Sequence, residues 1–154
     1  GVASIAELPM PHHRERKVLV QLGSIYFLFG TSYVIYVTFI VTTLINDFGL
    51  SEAVAGKVWF WIGAFSLVSG PLFGSISDLW GRVRGLILVF VLQAISYILI
   101  ATSSRLELAY LSVFLFGICA WSIPSIMAAA VGDRLGPVRA TYAFGIITLL
   151  FGLG

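Results

Sequence analysis

The sequence predicts an all-α membrane protein with four complete transmembrane helices and part of a fifth. Apolar residues make up 59% of the chain and charged residues only 10%, whereas soluble domains average about 25% charged residues. So few charged residues cannot cover the surface of a protein in water. Lipid must therefore be the solvent for much of the protein surface. The second observation is the length of the uncharged runs, because a helix needs about 20 apolar residues to cross the hydrocarbon core.

Helices rather than strands are expected for these runs. A transmembrane barrel would show segments of about 10 residues with alternating polarity, and the runs here are continuously apolar. In hydrocarbon the backbone polar groups of a segment must be satisfied internally, which a helix achieves and a lone strand does not.

The expected organisation is a cytoplasmic linker followed by one transmembrane helical domain. The linker covers residues 1–17 and the domain residues 18–154. The predicted helices lie near residues 18–46, 52–77, 85–104, 108–132 and 139–154.

The first predicted helix follows a basic run that ends at Lys17 and continues uncharged to Asn46. A signal peptide has an apolar core of only about 7–15 residues, so this run is predicted to span the membrane. Gly49 suits a left-handed cap after it. Ser51 then caps the second helix, with Glu52 in the first turn.

The later helices are joined by short connections. A tight turn around Arg105 separates the third from the fourth, and Pro137 fits the first turn of the fifth. The fifth run stops at Gly154 before it could cross a bilayer, and the chain begins without Met. We therefore expect the sequence to be a piece of a longer chain.

Orientation is predicted from the basic residues, which are enriched in cytoplasmic loops of membrane proteins. One side of the predicted topology has most of them and the opposite side has few. The first set comprises Arg14, Arg16, Lys17, Arg82, Arg84, Arg134 and Arg139, and the second Lys57 and Arg105. The N-terminal segment and the loops near 78–84 and 132–139 are thus expected to be cytoplasmic in a multi-pass protein of the bacterial inner (plasma) membrane.

The connection between the second and third predicted helices is the most informative segment. Asp78 lies at the C-terminal end of a helix, where a carboxylate opposes the helix dipole and needs a cationic partner. Arg82 and Arg84 are near enough in sequence to provide one. Gly81 permits a sharp turn, and Gly74 permits close approach of a neighbouring helix.

Residues 74–84 follow the pattern G-x-x-x-D-x-x-G-R-x-R between two predicted transmembrane helices. This pattern resembles the cytoplasmic signature loop of the major facilitator superfamily. The resemblance extends over the whole chain and implies a partial six-helix half-bundle, the central loop and helices seven to eleven of twelve. Residues 32–36 and 120–124 look like those of YbfB-type bacterial transporters.

The resemblance also implies a role for the loop. In the family, the signature Asp and Arg hold the cytoplasmic ends of the two halves together when the cavity opens outward. That role is carried here to Asp78, Arg82 and Arg84, with the missing N-terminal half of the same chain as partner. Val83 departs from the family pattern, in which many members have a basic residue there. A polar loop that merely obeys the positive-inside rule is the alternative.

Candidate residues for a substrate cavity lie in the first and fourth predicted helices. Tyr33 and Tyr36 are three residues apart and share a helical face. Trp121 and Ser122 lie near the middle of the fourth helix, close to Pro124, which frees a backbone carbonyl and permits a bend. The alternative for the aromatic residues is ordinary helix packing or anchoring at the membrane interface.

The function expected from these features is secondary active transport of a small organic solute by alternating access. The alternative is a small membrane sensor or assembly subunit that transports nothing. An enzyme is not expected, because no acidic or basic side chain lies in the interior of the first four predicted helices and Cys119 has no base beside it. No cofactor, metal or nucleic-acid partner is expected; the partners are the lipid bilayer and a small-molecule substrate.

Overall fold

The computed structural model describes residues 13–154, without the side chains of residues 13–15 and 138. Most of the predicted linker lies outside the described residues. Residues 13–17 already belong to the first helix rather than to a linker.

The described part of the chain consists of α-helices and short connections, as predicted. The helices are α1 (His13–Asn46), α2 (Glu52–Trp80), α3 (Arg82–Thr102), α4 (Leu106–Ala120), α5 (Ser122–Leu135) and α6 (Pro137–Leu153). Within the described residues, four spans are long and apolar enough to cross a membrane, with α4 and α5 together forming one of them. The fold class predicted from the sequence is therefore confirmed.

The connection between α2 and α3 is shorter than predicted. We expected a loop over residues 78–84, but α2 continues to Trp80 and α3 begins at Arg82. Only Gly81 interrupts the helices, with φ of 93°, a conformation that a residue with a Cβ atom rarely adopts. The sharp turn predicted at Gly81 is confirmed, and its glycine explains why one residue suffices.

The fourth predicted helix is interrupted at Trp121, which separates α4 from α5. Pro124 has no backbone N–H and so cannot donate to the carbonyl of Ala120, four residues earlier. The interruption falls where that carbonyl is freed, in agreement with the predicted bend. Ser122 donates its hydroxyl to the carbonyl of Cys119 at the same point.

Close helix packing gives the bundle its shape. α6 packs along α1, while α4 packs against both α2 and α3. At Gly30 an added Cβ would meet the carbonyl oxygen of Phe151, so this glycine permits the contact between α1 and α6. Small residues at such crossings are the usual means of helix association in lipid.

Candidate functional site

The candidate site lies at one end of the bundle, which we name the signature end, where Gly81 joins α2 to α3. Arg82 forms an ion pair with Asp78. It is thus the cationic partner that Asp78 needs at the C-terminal end of α2. Its Nε also donates to Asp133 Oδ2 at 2.9 Å. Its Nη1 donates to Ser77 Oγ at 2.9 Å. One guanidinium group thus connects the ends of α2, α3 and α5.

The cluster of Arg82, Asp78 and Asp133 is accessible from outside the bundle. The Arg82 side chain is 26% exposed, while those of Asp78 and Asp133 are 61% and 58% exposed. Ion pairs with this much exposure contribute about 0–1 kcal/mol each, because water and salt compete for the same groups. Breaking these contacts therefore costs little free energy.

Asp133 was missed as a site residue, although the sequence contains a signal for it. It lies near the C-terminal end of α5 and opposes the helix dipole there, as Asp78 does in α2. The same reasoning that assigned a cationic partner to Asp78 therefore applies to Asp133. That both carboxylates reach Arg82 also places the connections near 78–84 and 132–139 at the same end of the bundle, as the predicted topology requires.

Arg84 does not join this cluster. It is exposed and makes no ion pair within the described part of the chain. Arg82 alone is thus the cationic partner of Asp78 among the described residues.

Gly74, the first glycine of the signature pattern, differs from expectation. Among the described residues, nothing lies within 4 Å of a Cβ atom placed on Gly74, so the close approach predicted there is not made within this bundle. It is made at Gly85, where an added Cβ would lie 2.5 Å from Ser77 Cβ and 3.0 Å from Ser77 Cα. Gly85 therefore allows α3 to pass against α2 directly beneath Arg82.

The aromatic candidates differ in burial: Trp121 is exposed, Tyr33 is half-buried and Tyr36 is buried. Tyr33 and Trp121 meet edge to face with ring centroids 6.4 Å apart. Trp121 is 52% exposed beside the helix interruption, and Tyr33 is half-buried. Tyr36 is only 6% exposed and stacks on Phe116 at 4.0 Å. Of the predicted cavity residues, Tyr33 and Trp121 thus touch each other on an accessible surface.

Tyr36 and Ser122 are held inside the bundle. The Tyr36 hydroxyl and Ser112 Oγ are 2.8 Å apart, and Ser112 Oγ donates to the carbonyl of Ser96 at 2.7 Å. Ser122 is fully buried, and its hydroxyl donates to the backbone carbonyl of Cys119 in α4. Both side chains are enclosed by neighbouring helices.

The charged and aromatic side chains of the bundle lie in separate places. The described residues contain no group of three or more His, Cys, Asp or Glu side chains that could hold a metal ion. Charged side chains lie at the helix ends, and the accessible aromatic pair lies at an interruption within a membrane span.

These features define a multi-pass membrane protein with a polar site at one end of its helix bundle. Residues 2–154 match the family described as Uncharacterised MFS-type transporter YbfB. The chain belongs to this family of MFS-type transporters, a branch of the major facilitator superfamily.

Two curated relatives are similar over part of their length. The tetracycline resistance protein, class B, of Escherichia coli is 29% identical over 118 residues, which cover 75% of this chain and 29% of the relative. The class H protein of Pasteurella multocida is 26% identical over the same length and coverage. The chain thus matches less than a third of the length of these relatives. No solved structure matches it significantly.

Proposed function

We propose that this chain forms part of a secondary active transporter that moves a small organic solute by alternating access, together with an N-terminal half of the same chain. The observation that carries the proposal is the contact of Arg82 with both Asp78 and Asp133. This exposed cluster acts as the latch of the bundle at the signature end, which faces the cytoplasm.

The latch works because its contacts are charged and accessible. When the two halves close at the signature end, polar groups of the partner half compete for the carboxylates and the guanidinium group. When they separate, Arg82 returns to Asp78 and Asp133 and keeps α2, α3 and α5 together. Exchange between such partners is nearly balanced in free energy, as reversible switching requires.

Tyr33 and Trp121 form the solute-facing surface of this half. Their accessible rings lie beside an interrupted helix, and transporters commonly bind substrates at such interruptions near the middle of the membrane. Tyr36 and Ser122 support this surface from inside the bundle. Tetracycline, to which the names of the two relatives refer, is a first compound to test among aromatic solutes.

The latch is tested by Asp133→Asn and Asp78→Asn in the full-length protein reconstituted in proteoliposomes. Removing either charge weakens the contacts of Arg82 at the signature end. This shifts the equilibrium between the inward-open and outward-open states of the proposed cycle. We expect solute transport to fall about fivefold or more, the usual size of such a coupling, while membrane insertion is retained.

Glu107→Gln is the matched control for these variants. Glu107 is an exposed carboxylate at the opposite end of the bundle, 3.7 Å from Arg105. We expect its transport to equal that of the unmodified protein. Transport that is unchanged in both aspartate variants would contradict the latch, and the lack of transport of any solute by the intact protein would contradict the function.

A further inference from the structure

We infer that Gln93 of α3 is a positioning residue for the solute-facing surface of this half. Through its hydrogen bond to Tyr97 it fixes a stack of aromatic rings that ends at Tyr33 beside Trp121. The inference rests on the proposed function, in which Tyr33 and Trp121 face the solute. Gln93 acts through the intervening rings and not by touching the solute.

Gln93 is a polar side chain at a position where packing alone favours an apolar one. It is only 2% exposed, and its Nε2 donates to the Tyr97 hydroxyl at 2.6 Å. Its Oε1 is enclosed and has no hydrogen-bond partner among the described residues. An amide turned over would leave Nε2 without a partner instead. Because a buried polar group without a partner lowers stability, stability alone does not explain a glutamine here.

The hydrogen bond from Gln93 holds the Tyr97 ring against two other helices. The centroid of that ring lies 5.4 Å from the centroid of Tyr36 in α1 and 6.2 Å from that of Phe116 in α4. The Tyr97 side chain also interacts with Ser32 of α1. The orientation of Tyr97 is thus set at its hydroxyl end by Gln93, while its ring packs on α1 and α4.

The ring stack continues from Phe116 to the solute-facing surface. Phe116 is fully buried and stacks on Tyr36 with centroids 4.0 Å apart and on Tyr33 with centroids 5.7 Å apart. Tyr33 in turn meets the edge of Trp121 at 6.4 Å. Rings packed as closely as in a protein core do not shift one at a time, because no free volume lies between them. A displaced Tyr97 ring therefore changes the contact of Tyr33 with Trp121.

The inference is tested by fluorine NMR of the full-length protein in detergent, labelled with fluorotryptophan. The Trp121 resonance is identified by its loss in Trp121→Phe. We expect Gln93→Leu to shift that resonance and to leave those of Trp59 and Trp80, two exposed residues of α2, in place. The midpoint of thermal unfolding should stay the same or rise, because the substitution removes an enclosed amide group without a partner.

Two further variants separate the hydrogen bond from the substitution itself. Tyr97→Phe removes the other end of the same bond, so it should shift the Trp121 resonance in the same way. The double variant Gln93→Leu/Tyr97→Phe should shift it no further, because both changes act through one interaction. Gln21→Leu is the matched control, since it makes the same exchange at an exposed position of α1 and should cause no shift.

A transport measurement in proteoliposomes, with tetracycline as the probe, follows from the same geometry. In Gln93→Leu we expect KM to rise about fivefold at an unchanged maximal rate, because the charged cluster at the signature end is untouched. A Trp121 resonance that stays in place, or one that shifts together with a lower unfolding midpoint, would overturn the inference. If the intact protein moves no solute, the proposed function fails, whereas the resonance still decides whether Gln93 positions Tyr33 and Trp121.

Discussion

A charged cluster and a neutral cluster connect helices of this bundle, and they differ in exposure. At the signature end, the guanidinium group of Arg82 is shared by Asp78 and Asp133, whose side chains are more than half exposed. Inside the bundle, the neutral hydroxyl groups of Tyr36, Ser96 and Ser112 join α1, α3 and α4. Ser96 and Ser112 are both fully buried.

The difference shows which contacts are permanent and which can be exchanged. A buried hydroxyl that leaves its partner finds no water, so its hydrogen bond persists through any movement of the bundle. An exposed ion pair has water, salt and neighbouring protein as alternatives. The interior cluster therefore holds α1, α3 and α4 together, and the charged cluster is suited to change partners in the alternating-access cycle that we propose.

The largest effect is expected from a substitution at Gly85, where α3 contacts Ser77 of α2 next to the charged cluster. In Gly85→Val the new side chain meets Cβ and Cα of Ser77. The Oγ of the same serine accepts a hydrogen bond from Arg82. Overpacking of this kind costs about 1–3 kcal/mol, so we expect a clear loss of thermal stability in detergent.

Gly74→Val is the matched control for Gly85→Val. It adds the same side chain to the neighbouring helix, but at a position with nothing within 4 Å among the described residues. Its stability should stay close to that of the unmodified protein. Equal losses in the two variants would show that α2 and α3 are not held by the contact at Gly85.

A smaller effect separates the geometry of the charged cluster from its charge. Arg82→Lys keeps the positive charge, but an ammonium group cannot present the two faces with which the guanidinium group reaches Asp78 and Asp133. We expect transport in proteoliposomes to fall about fivefold, with a change in stability of less than about 1 kcal/mol.

Arg84→Lys is the comparison for Arg82→Lys, since Arg84 has the same charge, is exposed and lies outside the cluster. Its transport should be unchanged. If both variants transported as well as the unmodified protein, positive charge alone would suffice and the shared geometry would have no role.

The sequence predicted the features that depend on local chemistry. Hydrocarbon-length runs give the helices, Gly81 gives the turn, and Pro124 gives the interruption, because each effect acts within a few residues. The bond between Ser51 and the backbone of Val54 is of the same kind. The pairing of Asp78 with Arg82, four residues apart, also follows from local spacing.

The features that escaped prediction depend on how distant helices pack. Arg82 and Asp133 are 51 residues apart, and nothing in the spacing indicates that α5 ends beside α3. Gly74 opens the signature pattern and Gly85 directly follows it, and only the crossing of α2 and α3 determines which of them faces a neighbour. Burial separates Tyr36 from Trp121 in the same way, although both were equal candidates for the cavity.

The smallest expected effect concerns the buried cluster and tests whether it is indeed a permanent contact. Tyr36→Phe removes the hydroxyl beside Ser112 but keeps the stacking on Phe116. Ser112 retains its bond to the carbonyl of Ser96, so no buried donor is left without a partner. We expect a loss of about 0.6 kcal/mol, the average for such bonds in membrane proteins, measured as a shift in thermal unfolding in detergent.

Tyr33→Phe is the control, because the Tyr33 hydroxyl makes no hydrogen bond with the described residues and its removal should leave stability unchanged. A larger loss for Tyr33→Phe than for Tyr36→Phe would place the essential hydroxyl on the accessible surface and reverse the distinction between the two clusters.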